Sequence, residues 1–259
     1  MKRIICLFVL LISAFSLKAQ DLSLYLKKWM VQNGDTLPYR ILLPEGYDST
    51  QKYPVIFFLH GAGERGRDNE KQLVHGGKFF LKEEVRKNYK AIVVFPQGPT
   101  NNYWGTLLRT HEDKGKRTFD FLEEGPPGRY MELLMELVQN IFDKYPVKKD
   151  QIYAGGLSMG GMGVFELVRR MSTTFAAAFP ICGGANPATA KKLKKTNWWI
   201  FHGAKDDVVP PYHSENMVEA LKKAGAKVKF TLYPNANHNS WDPAFAEPEL
   251  LAWLFSQRK

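Results

Sequence analysis

The feature that most constrains this chain is the run Gln151 to Gly163, QIYAGGLSMGGMG, where a short apolar stretch meets a glycine-rich turn around Ser158 and a helical pattern follows. Gly156-Leu157-Ser158-Met159-Gly160 has the form G-x-S-x-G. A serine lifted clear of the end of a strand needs a strained backbone, and only glycines let neighbouring backbone pass so close. Gly161 and Gly163 let the following helix start tightly against the strand. The same residues could also form a plain strand-to-helix turn with a serine N-cap. Two features separate the readings: an acid and a histidine that follow in that order, each after its own strand, and a second glycine turn upstream that can supply N–H donors. This chain has both.

Upstream, LPYRILL (Leu37 to Leu43) follows the turn-forming Asn33-Gly34-Asp35 and is expected as an early hairpin strand. Val55 to Leu59 is continuously apolar, which suits a strand buried on both faces. It runs directly into His60-Gly61-Ala62-Gly63-Glu64-Arg65-Gly66, the second glycine turn. A helical stretch over Gly77 to Lys87 and an apolar strand over Ala91 to Phe95 come next. From Pro96 to Gly128 the periodicity breaks down, and loops of such length in compact domains usually serve a purpose. Tyr103, Trp104, Phe119 and Phe121 there could face a substrate from a lid or form a small core under the loop.

Apolar residues at Leu133, Leu134, Leu137, Val138, Ile141 and Phe142 predict a helix over Arg129 to Lys144, stopped by Pro146. Then come a strand at Ile152 to Ala154, a helix over Met159 to Met171, and strands near Phe175 to Cys182 and Trp198 to His202. A helix over Glu215 to Ala224, a strand at Val228 to Tyr233 and a helix over Phe245 to Phe255 complete the pattern. Strands alternating with helices imply an α/β fold with a mostly parallel central sheet and helices on both faces. Ligands then belong at the carboxyl ends of the strands.

After the Trp198 to Phe201 strand comes HGAKDDVVP, in which Asp206 is the first choice for a carboxylate partner and Asp207 the alternative. After the next strand, YPNANHNSW places His238 in a loop at the same sheet edge. Ser158, His238 and Asp206 in this order have the makings of nucleophile, general base and tautomer-fixing acid, a set suited to acyl transfer. The backbone N–H groups of Met159 and Ala62 are the candidate oxyanion donors. Trp104, Tyr103 and Trp241 are candidate substrate contacts. His60 and His202 are expected to hold the two glycine turns in shape, and His75 and His111 to lie on the surface or a lid. No two histidines have i, i+4 or cysteine-linked ligand spacing, so neither metal nor cofactor is expected.

Residues 1–20, MKRIICLFVLLISAFSLKAQ, have a basic start, an apolar run from Ile4 to Leu17 and a small-residue exit near Ala19-Gln20. This predicts a signal peptide, an apolar stretch shorter than the ~20 residues of a membrane-spanning helix, and one catalytic domain over residues 21–259 exported to the periplasm or beyond the cell. Only Cys182 would then remain, which excludes an intramolecular disulfide. The formal charge of +10 loses Lys2, Arg3 and Lys18 with the leader, and the remaining excess is scattered in pairs such as Lys191-Lys192 and Lys222-Lys223. Solvated helix faces explain such pairs better than nucleic acid does.

The runs YPVIFFLHGAGERG, GGLSMGGMG, HGAKDDVVP and YPNANHNSW, spanning about Tyr53 to Trp241, resemble in order and spacing the α/β-hydrolase superfamily. Within it they are similar to secreted polysaccharide-side-chain esterases, carboxylesterase/phospholipase-like proteins and prolyl-oligopeptidase catalytic domains. The resemblance implies the α/β-hydrolase fold, a Ser158-Asp206-His238 triad and oxyanion donors at Ala62 and Met159. Prolyl-oligopeptidases carry a large propeller before the hydrolase domain, whereas here only residues 21–54 precede Val55. The expectation is therefore a serine carboxylic-ester hydrolase acting on feruloyl or acetyl esters of plant polysaccharides, with a small-molecule or glycan-linked ester as its partner and no stable membrane insertion. A general short-chain carboxylesterase or phospholipase-like enzyme, a peptidase, and a non-catalytic ligand-binding homologue are the alternatives.

Overall fold

The computed structural model describes residues 21–105, 107–113 and 116–259, with backbone alone described for 107–113 and 116–118. The leader expected at residues 1–20 lies outside the described residues. Ten strands are present among them: β1 Leu26–Gln32, β2 Asp35–Leu42, β3 Tyr53–Leu59, β4 Ile92–Pro96, β5 Leu107–Asp113, β6 Lys116–Phe121, β7 Val147–Leu157, β8 Ala177–Ile181, β9 Asn197–Gly203 and β10 Val228–Tyr233. The helices are α1 Gly77–Phe80, α2 Glu83–Asn88, α3 Arg129–Lys144, α4 Met159–Arg170, α5 Ala190–Leu193, α6 Tyr212–Lys223, α7 Trp241–Phe245 and α8 Leu250–Ser256.

Eight strands form one sheet in the order β1-β2-β4-β3-β7-β8-β9-β10. β2 is antiparallel to both β1 and β4, and every other pairing in this sheet is parallel. The β1–β2 hairpin turns on Asn33 and Gly34, both at positive φ, as a tight two-residue connection between twisted strands requires.

Alternation along the buried strands divides the core between the two faces. Val55, Phe57 and Leu59 of β3 join Leu134, Leu137 and Ile141 of α3, Val164 and Val168 of α4, and Met217 and Leu221 of α6. Ile56 and Phe58 point the other way, to Phe80 of α1, Val85 of α2 and Leu250, Leu251 and Leu254 of α8. Side chains alternate across a strand, so a strand covered by helices on both sides is apolar at every position, and β3 is buried throughout. The doubly covered, mostly parallel sheet is the α/β-hydrolase architecture expected from the sequence.

Three expectations are corrected. The helix expected over Gly77 to Lys87 is broken at Leu81 and Lys82, where Lys82 turns extended at ψ 133°. The helix expected over Phe245 to Phe255 begins only at Leu250, as α8, since Phe245 ends α7 and Pro248 disfavours helical backbone at Glu247 between them. The segment Pro96 to Gly128 is not wholly irregular: β5 and β6 pair antiparallel as a separate two-stranded sheet.

Candidate active site

β7 ends at Leu157 and α4 begins at Met159, so Ser158 makes the whole connection, at φ 53° and ψ −120°. A non-glycine residue in this region is strained and persists only where its surroundings impose it. The glycines do so. A methyl group at Gly160 would overlap the Leu59 carbonyl oxygen of the neighbouring strand. One at Gly156 would stand 2.6 Å from the Gly160 carbonyl oxygen, and one at Gly163 would overlap Trp104.

The acid and base loops are fastened to each other. The loop after β9 carries Asp206, and the loop after β10 carries His238. Lys205 N–H donates to the Ala236 carbonyl at 3.0 Å. Asn237 Oδ1 accepts from the N–H groups of Asp207 and His238 at 3.1 and 2.6 Å. The two loops pass so closely at Gly203 that a side chain there would overlap the Asn237 carbonyl.

The three side chains meet in series. His238 Nδ1 donates to Asp206 Oδ2 at 2.8 Å, and its Nε2 stands 2.9 Å from Ser158 Oγ, placed to accept the hydroxyl proton. Asp206 Oδ1 accepts from the N–H groups of Val208 and Val209 at 2.9 and 2.8 Å. A further imidazole, His202 Nε2, lies 3.2 Å from Asp206 Oδ2. Burial alone would push the Asp206 carboxyl up, but the His202 and His238 hydrogen bonds and the Val209 N–H together hold it well below the ordinary aspartate range. Asp207 is exposed and makes no contact with His238, so of the two carboxylates the structure brings Asp206 to the histidine.

The upstream glycine turn faces the same point. Ala62 opens a short 3-10 turn after β3, and Met159 opens α4. The first N–H groups of a helical turn have no carbonyl of their own turn to donate to, and both residues line the same cavity as Ser158. His60 keeps the Ala62 turn in place: its Nδ1 donates to the Gly61 carbonyl at 2.6 Å, and its Nε2 accepts from the Gly98 N–H at 3.0 Å. That pattern needs the neutral ring, and burial pushes His60 down to about 4 against the opposing effect of the Gly61 carbonyl. His202 holds its own turn through Ser214 Oγ and the Val209 carbonyl. Both histidines thus have the turn-holding places expected of them.

Ser158, His238, Ala62 and Met159 open on a cavity of about 260 Å³ whose walls include Tyr103, Phe119, Met162, Val209 and Trp241. Trp241 packs edge-on against the His238 ring at 5.4 Å. Of the three expected substrate contacts, Tyr103 and Trp241 line this cavity and Trp104 does not. Trp104 is 1% exposed, packed between the His60 ring and the gap left by Gly163, because its indole is the filler that keeps the glycine turn and α4 in register. Phe119 combines the two readings of the long segment: it lines the cavity and also belongs to a small core with Met162 and Val209. Two polar wall residues have no site role expected from the sequence, Glu64 and His75, the latter expected only on the surface or a lid. Glu64 could have been found, since it lies inside the HGAGERG turn that supplies Ala62. The side chain of His111 lies outside the described residues.

Cys182, Asp206 and His238 offer donor atoms within 4.8 Å of one another. Burial raises the Cys182 thiol far above its usual range, and Asp206 and His238 already spend their atoms on each other, on Ser158 and on the Val208 and Val209 N–H groups. The donor chemistry of this trio therefore does not fit a metal centre.

A serine, an imidazole and a carboxylate in hydrogen-bonded series at the carboxyl edge of such a sheet form an arrangement suited to acyl transfer in the α/β-hydrolase superfamily. Residues 47–247 match the model of the Phospholipase/Carboxylesterase family, and the chain belongs to that family. It is similar to lysophospholipase-like protein 1 of Mus musculus, with 25% identity over 215 residues that cover 78% of this chain and 85% of that one. It is also similar to an Aspergillus terreus protein named "Probable feruloyl esterase C", 26% identical over 182 residues that cover 70% of this chain and 58% of that one. Among solved structures, a thermostable esterase superimposes with a TM-score of 0.81 at 31% identity, over 92% of this chain and 64% of that one. The chain thus spans less than two thirds of the length of these last two proteins.

Proposed function

We propose that this esterase is an exported enzyme that uses Ser158, His238 and Asp206 to hydrolyse feruloyl or acetyl esters of plant polysaccharides through an acyl-enzyme. The observation that carries the reading is the unbroken series Ser158 Oγ, His238 Nε2, His238 Nδ1, Asp206 Oδ2, with links of 2.9 and 2.8 Å, at the floor of a partly aromatic cavity.

In this reaction the Ser158 hydroxyl proton passes to His238 Nε2 as Oγ bonds to the ester carbonyl carbon. The negative charge moves to the carbonyl oxygen, where the N–H groups of Ala62 and Met159 face it. Collapse of the tetrahedral species breaks the bond to the alcohol oxygen, which takes the proton back from His238 and leaves. A water then gives its proton to His238 and attacks the acyl carbon, and Ser158 recovers its hydroxyl as the acid departs. Asp206 stays ionised throughout and stabilises the imidazolium formed in each half-reaction.

The substrate class rests on the Tyr103, Phe119 and Trp241 rings, whose flat apolar faces suit a phenylpropenoyl group or a sugar ring, and on the likeness to the Aspergillus protein. Export rests on the pattern of residues 1–20. The test is a panel of methyl ferulate, acetylated xylan, p-nitrophenyl esters of increasing chain length and a phospholipid. The glycan-ester reading predicts the highest kcat/KM on one of the first two, and a maximum on chains of about eight carbons or more, or on the phospholipid, refutes it. N-terminal sequencing of protein recovered outside the cytoplasm should begin near Gln20 or Asp21, and retention of Met1 refutes export.

A further inference from the structure

The turn that supplies the Ala62 N–H also sends a carboxylate into the cavity. Glu64 is two residues on, its side chain is only 12% exposed, and it lines the same cavity as Ser158. Its Oε2 folds back over Gly61, so closely that a methyl group on Gly61 would stand 3.0 Å from it. Among the described residues no donor hydrogen-bonds this carboxylate; His75 Nε2 stands 3.7 Å from Oε1. The His75 ring packs tilted against Trp241 at 4.9 Å, and Trp241 packs edge-on against His238, so His75 connects Glu64 to the wall beside the base.

A mostly buried carboxylate that lines the cavity and takes no hydrogen bond from the protein keeps its acceptor sites open for a group that brings a hydrogen. It also lies beside the oxyanion donors, where a second anion on the substrate would be repelled. The turn that carries it is held from its outer side, where Arg65 Nε donates to the Ala62 carbonyl at 2.8 Å and the guanidinium lies over the Tyr103 ring at 5.2 Å.

We propose that Glu64 is a specificity-determining acceptor for a hydroxyl group of the substrate, positioned by His75. The preferred ester then carries an O–H that meets Glu64 when its carbonyl lies at Ser158, on the acyl group or on the alcohol. This rests on the esterase reading, and it deepens the choice of a phenolic or sugar ester.

Two matched pairs test it and separate the two sources of the hydroxyl. Methyl ferulate against methyl 3,4-dimethoxycinnamate varies the hydroxyl on the acyl side, and acetylated xylose against cyclohexyl acetate varies it on the alcohol side. The readout is the ratio of kcat/KM within each pair, which a general disturbance of the oxyanion turn leaves unchanged because it slows both members. Glu64→Ala should lower one ratio by about tenfold or more, since a site built to bond a hydroxyl loses its discrimination when the acceptor goes. Glu64→Gln, which keeps an acceptor oxygen, should retain most of it. His75→Ala should lower the same ratio by less. Ratios unchanged within about twofold in both pairs overturn the proposal, as does a Glu64→Gln loss equal to that of Glu64→Ala together with faster hydrolysis of acetylcholine than of the hydroxylated esters. That last result would make the carboxylate a cation site. A wild-type enzyme that prefers long-chain esters, yet whose hydroxyl ratio moves with Glu64, would sink the glycan-ester reading and leave this one standing.

Discussion

The two sides of the cavity are built by opposite means. On the floor, Ser158, Met159 and Ala62 are held by main chain pressed on main chain. Gly156 and Gly160 leave no space for a methyl group, and the Ser158 N–H is itself tied to the Ile181 carbonyl at 2.9 Å. On the walls, Tyr103 and Phe119 come from the long segment between β4 and α3 and Trp241 from α7, and each lines the cavity with its side chain. The floor is fixed because its atoms are main chain of the sheet's edge, the adjoining helix and the Ala62 turn. The walls depend on side chains, which can change size without moving the sheet. Chemistry should therefore be intolerant of substitution and selectivity tolerant of it.

The sharpest break should come at the floor. Ser158→Ala should lower ester hydrolysis by a factor on the order of 10⁴ or more while leaving the far-ultraviolet spectrum and melting temperature near wild type, and His238→Ala should match it, because nucleophile and base act as a unit. Asp206→Asn should cost a factor of about 10⁴ by presenting the wrong partner to His238 Nδ1–H, and Asp207→Asn very little. A larger loss at Asp207, or p-nitrophenyl acetate turnover by Ser158→Ala near the wild-type rate, would overturn these roles.

Much of this floor is legible in the sequence because it is made of backbone. A glycine is required wherever main chain passes main chain, so the runs around Gly61, Ser158 and Gly203 announce close approaches before any fold is known. Apolar runs such as Val55 to Leu59 likewise announce strands covered on both faces. The walls are less legible. β5 and β6 carry charged and polar residues such as Arg109, Glu112, Asp113 and Arg117, so neither shows the apolar period by which a strand is recognised. The aromatic residues of Pro96 to Gly128 are alike in type, yet Tyr103 meets the cavity and the adjacent Trp104 is buried beneath it. One residue's difference in backbone direction decides this, and composition cannot express it.

Trp104 accordingly belongs with the floor, and its removal should read as lost stability. The indole is almost fully buried among the His60 ring, Gly98 and Gly163, and truncation leaves a large cavity there. Trp104→Ala should destabilise the fold by about 3–5 kcal/mol, measured by urea unfolding. A drop in kcat/KM confined to bulky esters, with stability unchanged, would return Trp104 to the substrate wall.

A smaller effect on the floor comes through pH. His60 titrates near 4 in the folded chain because of its burial, against an ordinary value of 6.5. Above about pH 6.5 the ring is neutral in both folded and unfolded chains and adds no pH dependence. As pH falls from there toward 4, the unfolded chain takes up a proton that the folded chain refuses, so stability declines, by about 3 kcal/mol at most. His213, pushed to about 4 by its burial, adds a decline of the same sign. Asp206 acts lower still: its depressed carboxyl supports the fold above its ordinary range near 4 and gives up that support as pH drops further. Melting temperature should thus fall steadily below pH 6.5, and the fall should be shallower in a His60→Gln protein that still folds. A flat profile between pH 7 and 4.5 would contradict the neutral, donor-and-acceptor placement of His60.

The smallest effects should come from the walls, where the comparison can be sharpened most finely. Tyr103 and Phe119 line the cavity, and neither hydrogen-bonds Ser158 or His238. Loss of either ring removes apolar contact with the bound ester but leaves the carbonyl carbon where the floor holds it. Tyr103→Ala and Phe119→Ala should therefore raise KM by about tenfold for methyl ferulate, whose flat ring needs a wall, and change kcat by less than about threefold. For p-nitrophenyl acetate, whose acyl group is too small to reach that wall, both constants should shift less. Phe119 also packs against Met162, which lies in the first turn of α4 just past the serine, so it is the place where wall and floor touch. If Phe119→Ala lowers kcat equally on every ester while Tyr103→Ala does not, the ring is bracing α4 through Met162, and the boundary between chemistry and selectivity runs through Phe119 itself.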